Sequence, residues 1–206
     1  LDGEQGQGVA VDLQSIDELQ QAIDDARRFD SRVLLESFHQ GLDLRILVIG
    51  FEVVAAAIRR PAQIIGDGQH TIDALIQAQS RRRQAATDGE SKIPLDHETE
   101  RTLQAAGFTY SSILSAGERL CVRRTANLHT GGTLEDVTEM LHPTLVDAAV
   151  RAARALDIPV VGLDLMVPAA DQPDYVFIEA NERAGLANHE PQPVAERFVD
   201  LLFPHS

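Results

Sequence analysis

The 206-residue chain has little positive charge, one cysteine and few aromatic residues. Lysine and arginine together number 18 against 32 acidic residues, so the formal net charge is −14, and Lys92 is the only lysine. Such a charge repels phosphate backbones and anionic lipid surfaces, which argues against general nucleic-acid or membrane binding. We expect any polyanion to be bound through a local arginine cluster or a divalent cation.

The single cysteine, Cys121, excludes a disulfide within the chain and a metal site built from several cysteines. This usage suits a cytoplasmic protein. Apolar runs such as 53–58 fall far short of the roughly 18 residues that span a bilayer, and no secretory leader follows Leu1. Because the chain begins with leucine, we expect a longer polypeptide whose preceding part is a partner of this one. The composition leaves open a homo-oligomer.

Local patterns in the first third of the chain predict strands and one helix. Residues 9–13 alternate between apolar and polar and indicate a strand. Ser15 and Glu18 form a capping box before an amphipathic helix. Residues 32–37 and 44–49 indicate two further strands, and 53–60 is expected to pair back on the second as a hairpin.

The remaining pattern predicts a helical insertion followed by a regular α/β region. Helices are expected after Thr71 and Asp96 within residues 61–117. Beyond the insertion we predict the following elements: a strand at 120–124, a helix opening at Pro143, strands at 160–167 and 175–180, and a helix at 194–203. The connector between the last two strands is too short for a crossover helix, so these strands should be antiparallel neighbours.

Acidic and amide side chains in these last two strands indicate a metal site. Residues at i and i+2 share one face of a strand, so Phe177, Glu179 and Asn181 are expected to point the same way. Asp164 on the neighbouring strand shares its face with Gly162, which leaves room beside it. Two carboxylates and an amide oxygen are ligands that Mg²⁺ takes together with substrate phosphates. The alternative is structural pairing with arginines such as Arg124.

Two loops and two smaller features carry further hypotheses. The loop Gly3–Gly8 has the amides to close over phosphates, or is an exposed turn. The segment 123–133 could hold a transferring phosphoryl group through its arginines, or is a surface loop with salt bridges. Arg81–Arg83 reads as an exposed helix face, with binding of an anionic substrate as the alternative. The histidines lack zinc-ligand spacing.

Several segments, taken in order, resemble the ATP-grasp superfamily of carboxylate–amine ligases. They are the glycine loop, residues 33–36 with 41–45, the loop 124–132, Asp164 and residues 177–181. Residues 59–62, 66–72 and 123–133 are similar to the cyanophycin synthetase branch, and 180–191 is similar to N-acetylglutaminylglutamine synthetases. Many relatives have Asn-x-x-Pro-Gly where this chain has Ala184 before Gly185, so the substrate-facing loop is expected to differ.

The resemblance implies the C-terminal part of an ATP-grasp fold, an α/β fold of the α+β type. It has an antiparallel or mixed sheet with packed helices and the insertion at about 61–117. Residues 1–40 would be the remainder of the small subdomain, and 41–206 the C-terminal subdomain. The implied reaction is ATP-dependent amide formation through an acyl phosphate, by N-acetylglutaminylglutamine synthesis or a related ligation of small amino-acid substrates. The alternative is a truncated, non-catalytic nucleotide-binding module, and we expect the fragment alone to be inactive.

The resemblance also implies a role for individual residues with ATP and Mg²⁺, or Mn²⁺, as cofactors. The implied sets are Arg124 and Asn127 for the acyl phosphate; Gly6, Gln7 and Gly8 for the phosphates; Glu36, Ser37 and Phe38 for the adenine; Asp43 for the ribose; Phe177 for the purine face; and Asp164, Glu179 and Asn181 for the metal. Candidate substrate contacts are Arg59, Arg60, Glu182, Arg183 and Gly185.

Overall fold

A computed structural model describes residues 9–187, 189 and 191–204. The elements in chain order are α1 (Ile16–Ala26), β1 (Leu42–Ile49), β2 (Glu52–Arg60), β3 (Gln63–Ile65), α2 (Ile72–Ala86), α3 (His97–Ala105), β4 (Arg119–Cys121), β5 (Thr133–Asp136), a 3₁₀ turn (Thr138–Met140), α4 (Pro143–Leu156), β6 (Val160–Val167), β7 (Val176–Asn181) and α5 (Val194–Leu202). The chain divides into two compact units, Leu1–Phe38 with Pro61–Thr133 (unit 1) and His39–Arg60 with Leu134–Ser206 (unit 2).

Unit 2 is built on a five-stranded sheet in the order β5-β2-β1-β6-β7. β1 is antiparallel to both β2 and β6, and β6 is antiparallel to β7. The hairpin and the antiparallel pair of C-terminal strands are therefore confirmed, as is the predicted α/β class with an antiparallel sheet and packed helices.

Both faces of the central strands are covered. Leu44 and Leu163 pack with Leu145 of α4 on one face, and Leu47 packs with Val194 of α5 on the other. Strands buried on both sides read as nearly continuous apolar runs, which explains the composition of β1 and β6. A charged side chain within these strands therefore needs a partner.

Unit 1 contains α1, α2 and α3 and a two-stranded sheet of β3 and β4. Thr71 and Asp96 cap α2 and α3 through their side chains, as predicted. The core of the unit includes Ile64, Ile72 and Leu103. The insertion is not purely helical, because β3 pairs with β4 beyond its predicted end. The strand predicted at 120–124 corresponds to β4, whereas the three residues of β3 are too few for an alternating pattern to reveal.

Two predicted strands are wrong. Neither residues 9–13 nor 32–37 form a strand, and Leu34 and Leu35 are 61% and 68% exposed. A strand requires a neighbour to accept and donate its ladder hydrogen bonds. The carbonyls of residues 9–13 instead accept hydrogen bonds from arginine side chains: Arg101 Nη2 donates to Val11 O at 2.8 Å, and Arg124 Nη1 donates to Asp12 O at 3.0 Å.

None of the helices in the described ranges combines the length and the apolar composition that crossing a bilayer requires.

Candidate functional site

The structure brings the predicted metal ligands together on neighbouring strands of unit 2. Asp164 on β6 lies directly opposite Glu179 on β7, and Gly162 lies opposite Asn181. Residues opposite each other on antiparallel strands have their Cβ atoms roughly 5 Å apart. The Asn181 Nδ2 amide donates to Glu179 Oε1 at 2.8 Å. Asp164, Glu179 and Asn181 therefore form one polar cluster at the β7 edge of the sheet.

A β-bulge in β7 changes the predicted position of Phe177. The register shifts after the Asp164–Glu179 pair, and Phe177 lies opposite Leu165 with Ile178 as the extra residue. A one-residue shift moves a side chain to the other face of a sheet. Phe177 thus lies on the Leu165 face and not with Glu179, which corrects the expected alternation.

Two arginines surround the Asp164 carboxylate. Arg45 lies opposite Asp164 in the β1–β6 register, and its Nε lies 2.6 Å from Oδ1. Arg59 reaches Asp164 Oδ2 through Nη2 at 3.1 Å and also donates from Nε to Asp43 Oδ1 at 2.9 Å. The alternative of arginine pairing thus holds for Asp164, but with these two arginines. Arg124 instead pairs with Asp12 in unit 1.

Gly162 leaves room for an arginine. A Cβ added there would lie 2.5 Å from Arg45 Nη1. The space that the sequence suggested beside the acidic cluster is therefore filled by the Arg45 guanidinium, which lies across β6. Arg45 was missed by the sequence analysis, although a lone arginine within the apolar strand 44–49 was a usable signal.

Burial and neighbouring charges shift the pKa values of this cluster. Burial raises the pKa of Asp164 to about 6, against the opposing effect of Arg59 and Arg45. Burial also raises the pKa of Asp43. The hydrogen bond from Asn181 lowers the pKa of Glu179. Burial acts to lower the pKa of Arg59, but the Asp164 and Asp43 carboxylates outweigh it and raise the pKa.

The cluster has the chemistry that a hard divalent cation requires. Asp164 is 4% exposed, and its Oδ1 has no hydrogen bond of good geometry despite the close Arg45 Nε. Two carboxylates face each other with an amide beside them, which is a set of oxygen ligands that suits Mg²⁺ completed by substrate oxygens. Across the residues that the structure covers, no group of three His, Cys, Asp or Glu side chains could itself hold a metal. The candidate metal site therefore consists of two carboxylates, Asp164 and Glu179, and the amide oxygen of Asn181.

The raised pKa of Asp164 predicts a pH-dependent stability. The Asp164 carboxyl has a pKa near 3.8 in the unfolded chain and about 6 in the folded protein. Between pH 3.8 and pH 6 the folded state therefore binds a proton that the unfolded state has lost. Stability should therefore fall as pH rises from 4 to 6, by about 3 kcal/mol in total. Urea unfolding from pH 4 to 8 should show this loss in the wild type and not in Asp164→Asn. The exposed carboxyl variant Asp174→Asn is the control, and parallel wild-type and Asp164→Asn curves would contradict the prediction.

The predicted catalytic loop lies in unit 1 and is held by hydrogen bonds. Arg124 Nη1 binds the carbonyl and the carboxylate of Asp12, and the Arg124 backbone N–H donates to Glu98 Oε1 at 3.2 Å. Asn127 Oδ1 accepts from the His129 N–H at 2.8 Å. The Asn127 side chain therefore closes the turn with its oxygen, which leaves its Nδ2 group as the donor for other acceptors.

The loop begins at a buried ion-pair network. Arg123 is 3% exposed, and it donates to Asp96 at 2.7 Å, Thr99 at 2.9 Å and Glu98 Oε2 at 2.8 Å. Glu98 Oε1 also accepts from the Thr125 N–H and hydroxyl, both at 3.1 Å. Arg123 and Thr130 border a cavity of about 280 Å³ that lies between residues 9–13, α1 and the start of α3. Glu98 was not predicted, because its contacts are distant in sequence.

The remaining predicted site residues are placed as follows. Gly6, Gln7 and Gly8 lie outside the described residues. Glu36, Ser37 and Phe38 are exposed and irregular, and Glu182, Arg183 and Gly185 lie in an exposed loop after β7. Arg60 pairs with Glu135 through Nε at 2.7 Å. No ligand role for these residues is tested by the geometry, and their roles remain predictions.

Comparisons with known proteins give relatives that are longer than this chain. No family model matches the chain. Cyanophycin synthetase from Trichormus variabilis is 35% identical over 100% of this chain, which covers 24% of that protein. The glutathione biosynthesis bifunctional protein GshAB from Clostridium perfringens is 31% identical over 92% of this chain and 26% of that protein. The chain thus spans about a quarter of the length of these relatives.

A solved structure shares the fold. The bifunctional glutathione synthetase from Pasteurella multocida matches with a TM-score of 0.67 and 26% identity, over 94% of this chain and 29% of that one. These similarities support the resemblance to the ATP-grasp ligases and to the cyanophycin synthetase branch. None of these three relatives is an N-acetylglutaminylglutamine synthetase.

Proposed function

We propose that this chain is the metal- and nucleotide-binding part of an ATP-dependent carboxylate–amine ligase of the ATP-grasp type. The observation that carries the proposal is the facing pair Asp164 and Glu179, with Asn181 bonded to Glu179. Similarity to parts of cyanophycin synthetase and GshAB supports the same reaction class.

In the proposed reaction, a substrate carboxylate attacks the γ-phosphorus of ATP and ADP leaves. The resulting acyl phosphate is attacked by an amine, and phosphate leaves as the amide forms. Activation is needed because a free carboxylate is a poor electrophile. Asp164, Glu179 and Asn181 would hold Mg²⁺ or Mn²⁺, which neutralises phosphate charge when bound. Arg45 and Arg59 keep the Asp164 carboxylate in place within the sheet.

Arg124 and Asn127 are proposed to bind the acyl phosphate. Asn127 presents its Nδ2 donors because its oxygen is committed to His129. Arg124 shares its charge with Asp12, so phosphate oxygens would compete with that carboxylate for the guanidinium. Both residues would act by donating hydrogen bonds to oxygens that gain negative charge.

The nucleotide contacts remain those implied by the resemblance. Gly6, Gln7 and Gly8 would cover the phosphates, and residues 36–38 would flank the adenine. Phe177 is the exception, because it lies on the Leu165 face and not with Glu179, which argues against the implied packing on the purine. Asp43 would contact the ribose through the oxygens that its pairing with Arg59 leaves available. The division into a small-subdomain remainder (1–40) and a C-terminal subdomain (41–206) is part of this proposal, as is a cytoplasmic location.

The finer proposal concerns the substrates. Arg59, Arg60, Glu182, Arg183 and Gly185 would contact two amino-acid substrates, and the ligation would be N-acetylglutaminylglutamine synthesis or a close relative of it. The exposure of the loop 182–185 leaves its side chains accessible to such ligands. A chain that covers a quarter of its relatives would bind nucleotide without completing catalysis alone.

A substrate panel tests this function. Phosphate release by the full-length protein is measured with Mg·ATP across free and acetylated amino acids paired with amine acceptors, including acetylglutamine with glutamine. We expect release only when both an acid and an amine are present, since the acyl phosphate must be intercepted. Calorimetric titration of Mg·ATP into this chain and into the full-length protein measures binding separately. Binding of Mg·ATP without phosphate release for any substrate pair would favour the non-catalytic module. The absence of both binding and phosphate release would overturn the proposal.

A further inference from the structure

The loop Arg124–Gly132 is fixed by its backbone carbonyls. Asn127 O accepts from the N–H groups of Thr130 at 3.2 Å and Gly132 at 2.8 Å. Leu128 O and Gly132 O accept from side chains outside the loop, and His129 O accepts from a backbone N–H outside it. The loop therefore has one hydrogen-bonded conformation that depends on residues elsewhere in unit 1.

Those outside donors come from the insertion. Arg83, near the end of α2, donates from Nη2 to Gly132 O at 2.6 Å and from Nε to Ser91 Oγ at 3.0 Å. Ser91, which is buried, donates to Leu128 O at 2.5 Å. The Lys92 N–H donates to His129 O at 3.0 Å. Arg83 and Ser91 thus connect α2 to both ends of the turn.

Packing fixes the same turn from a second direction. Gly131 has φ +96° and lies against Ile93, where an added Cβ would be 2.4 Å from Ile93 Cγ1. Only glycine adopts this conformation without strain at this distance. The insertion residues 91–93 therefore contact the loop through a side-chain donor, a backbone donor and an apolar surface.

We propose that Arg83 is a positioning residue of the ligase, and that the insertion serves to hold the Arg124–Gly132 loop in the conformation that leaves the Asn127 Nδ2 group as a donor for phosphate oxygens. This inference rests on the proposed function of that loop. Arg83 is partly buried and bonded to the loop, whereas Arg81 and Arg82, which precede it on the same helix, are exposed. The expectation of an exposed arginine face thus holds for two of the three.

The matched pair Arg83→Met and Arg82→Met tests the proposal in the full-length protein. Each change removes one guanidinium from the same helix, but only the first removes the donors to Gly132 and Ser91. In Arg83→Met we expect amide hydrogen exchange in the loop to be about tenfold faster, since local opening loses fewer hydrogen bonds. We expect kcat to fall about tenfold or more while KM for ATP stays within about twofold, because Asn127 is proposed to bind the acyl phosphate, which forms only after ATP has bound. Arg82→Met should match the wild type in each measurement.

Two further variants keep the test decisive. Arg83→Lys retains a donor that can reach Gly132 O and should recover part of kcat. Ser91→Ala removes the bond to Leu128 O and should show the same faster exchange and lower kcat. It therefore serves as the test if Arg83→Met does not fold. Wild-type kcat in an Arg83→Met protein with faster loop exchange would overturn the positioning role, and so would equal losses in Arg82→Met. A wild-type protein without ligase activity overturns the proposed function itself, which the substrate panel detects independently.

Discussion

Replacing Glu179 with glutamine should abolish ATP-dependent phosphate release by the full-length protein, with a loss of at least about 10³-fold. The change keeps the shape and the bond to Asn181 but removes the charge facing Asp164. A neutral amide oxygen can contact a divalent cation but lacks the negative charge of a carboxylate, so it holds the cation more weakly. Coupled measurement of phosphate release under saturating Mg·ATP gives the result.

The control for this change is Glu139→Gln, which removes one exposed carboxylate from the 3₁₀ turn of the same unit. It should retain wild-type turnover. Thermal unfolding should show both variants folded, since Glu179 is exposed and glutamine keeps an oxygen that accepts from Asn181. Near-normal turnover in Glu179→Gln would remove the basis of the proposed metal site.

The second large effect is on stability. Arg123→Met should lower the free energy of unfolding by about 3–5 kcal/mol, because it leaves the Glu98 carboxylate without its counter-charge. The Glu98 side chain is 8% exposed, and the Arg123 side chain is 3% exposed. Denaturant unfolding of wild type and variant, followed by circular dichroism, measures the change.

A matched arginine and a double variant sharpen this second test. Arg119→Met removes an exposed arginine from β4 and should change stability by less than about 0.5 kcal/mol. Adding Glu98→Gln to Arg123→Met should recover part of the loss, because the amide oxygen still accepts from Thr125 without a buried charge. Equal stabilities of Arg123→Met and Arg119→Met would show that the ion pair contributes nothing.

Local signals predicted much of the fold. Ser15, Thr71 and Asp96 each begin a helix with the side-chain hydrogen bond that their position suggested. The short connector made β6 and β7 antiparallel neighbours, as expected. These features depend on interactions within a few residues, or on chain length alone, so a single sequence contains them.

Features set by distant partners could not be predicted in the same way. Residues 9–13 alternate like a strand, but their carbonyls bind Arg101 and Arg124 rather than a neighbouring strand. The bulge at Ile178 depends on the register with β6. The regular alternation of side chains that the sequence suggested therefore placed Phe177 on the wrong face of the sheet. The Asp164–Glu179 pair was predicted because both are acidic residues within apolar strands whose antiparallel pairing was implied by the short connector.

The single lysine gives the chain a natural place for a chemical reporter. The Lys92 side chain is exposed, while its backbone N–H bonds the His129 carbonyl in the Arg124–Gly132 loop. Apart from the α-amino group, an amine-reactive fluorophore on this 206-residue chain would attach at one side chain, beside the turn that Arg83 fixes. Its anisotropy would follow loop movement during nucleotide titration without any engineered cysteine.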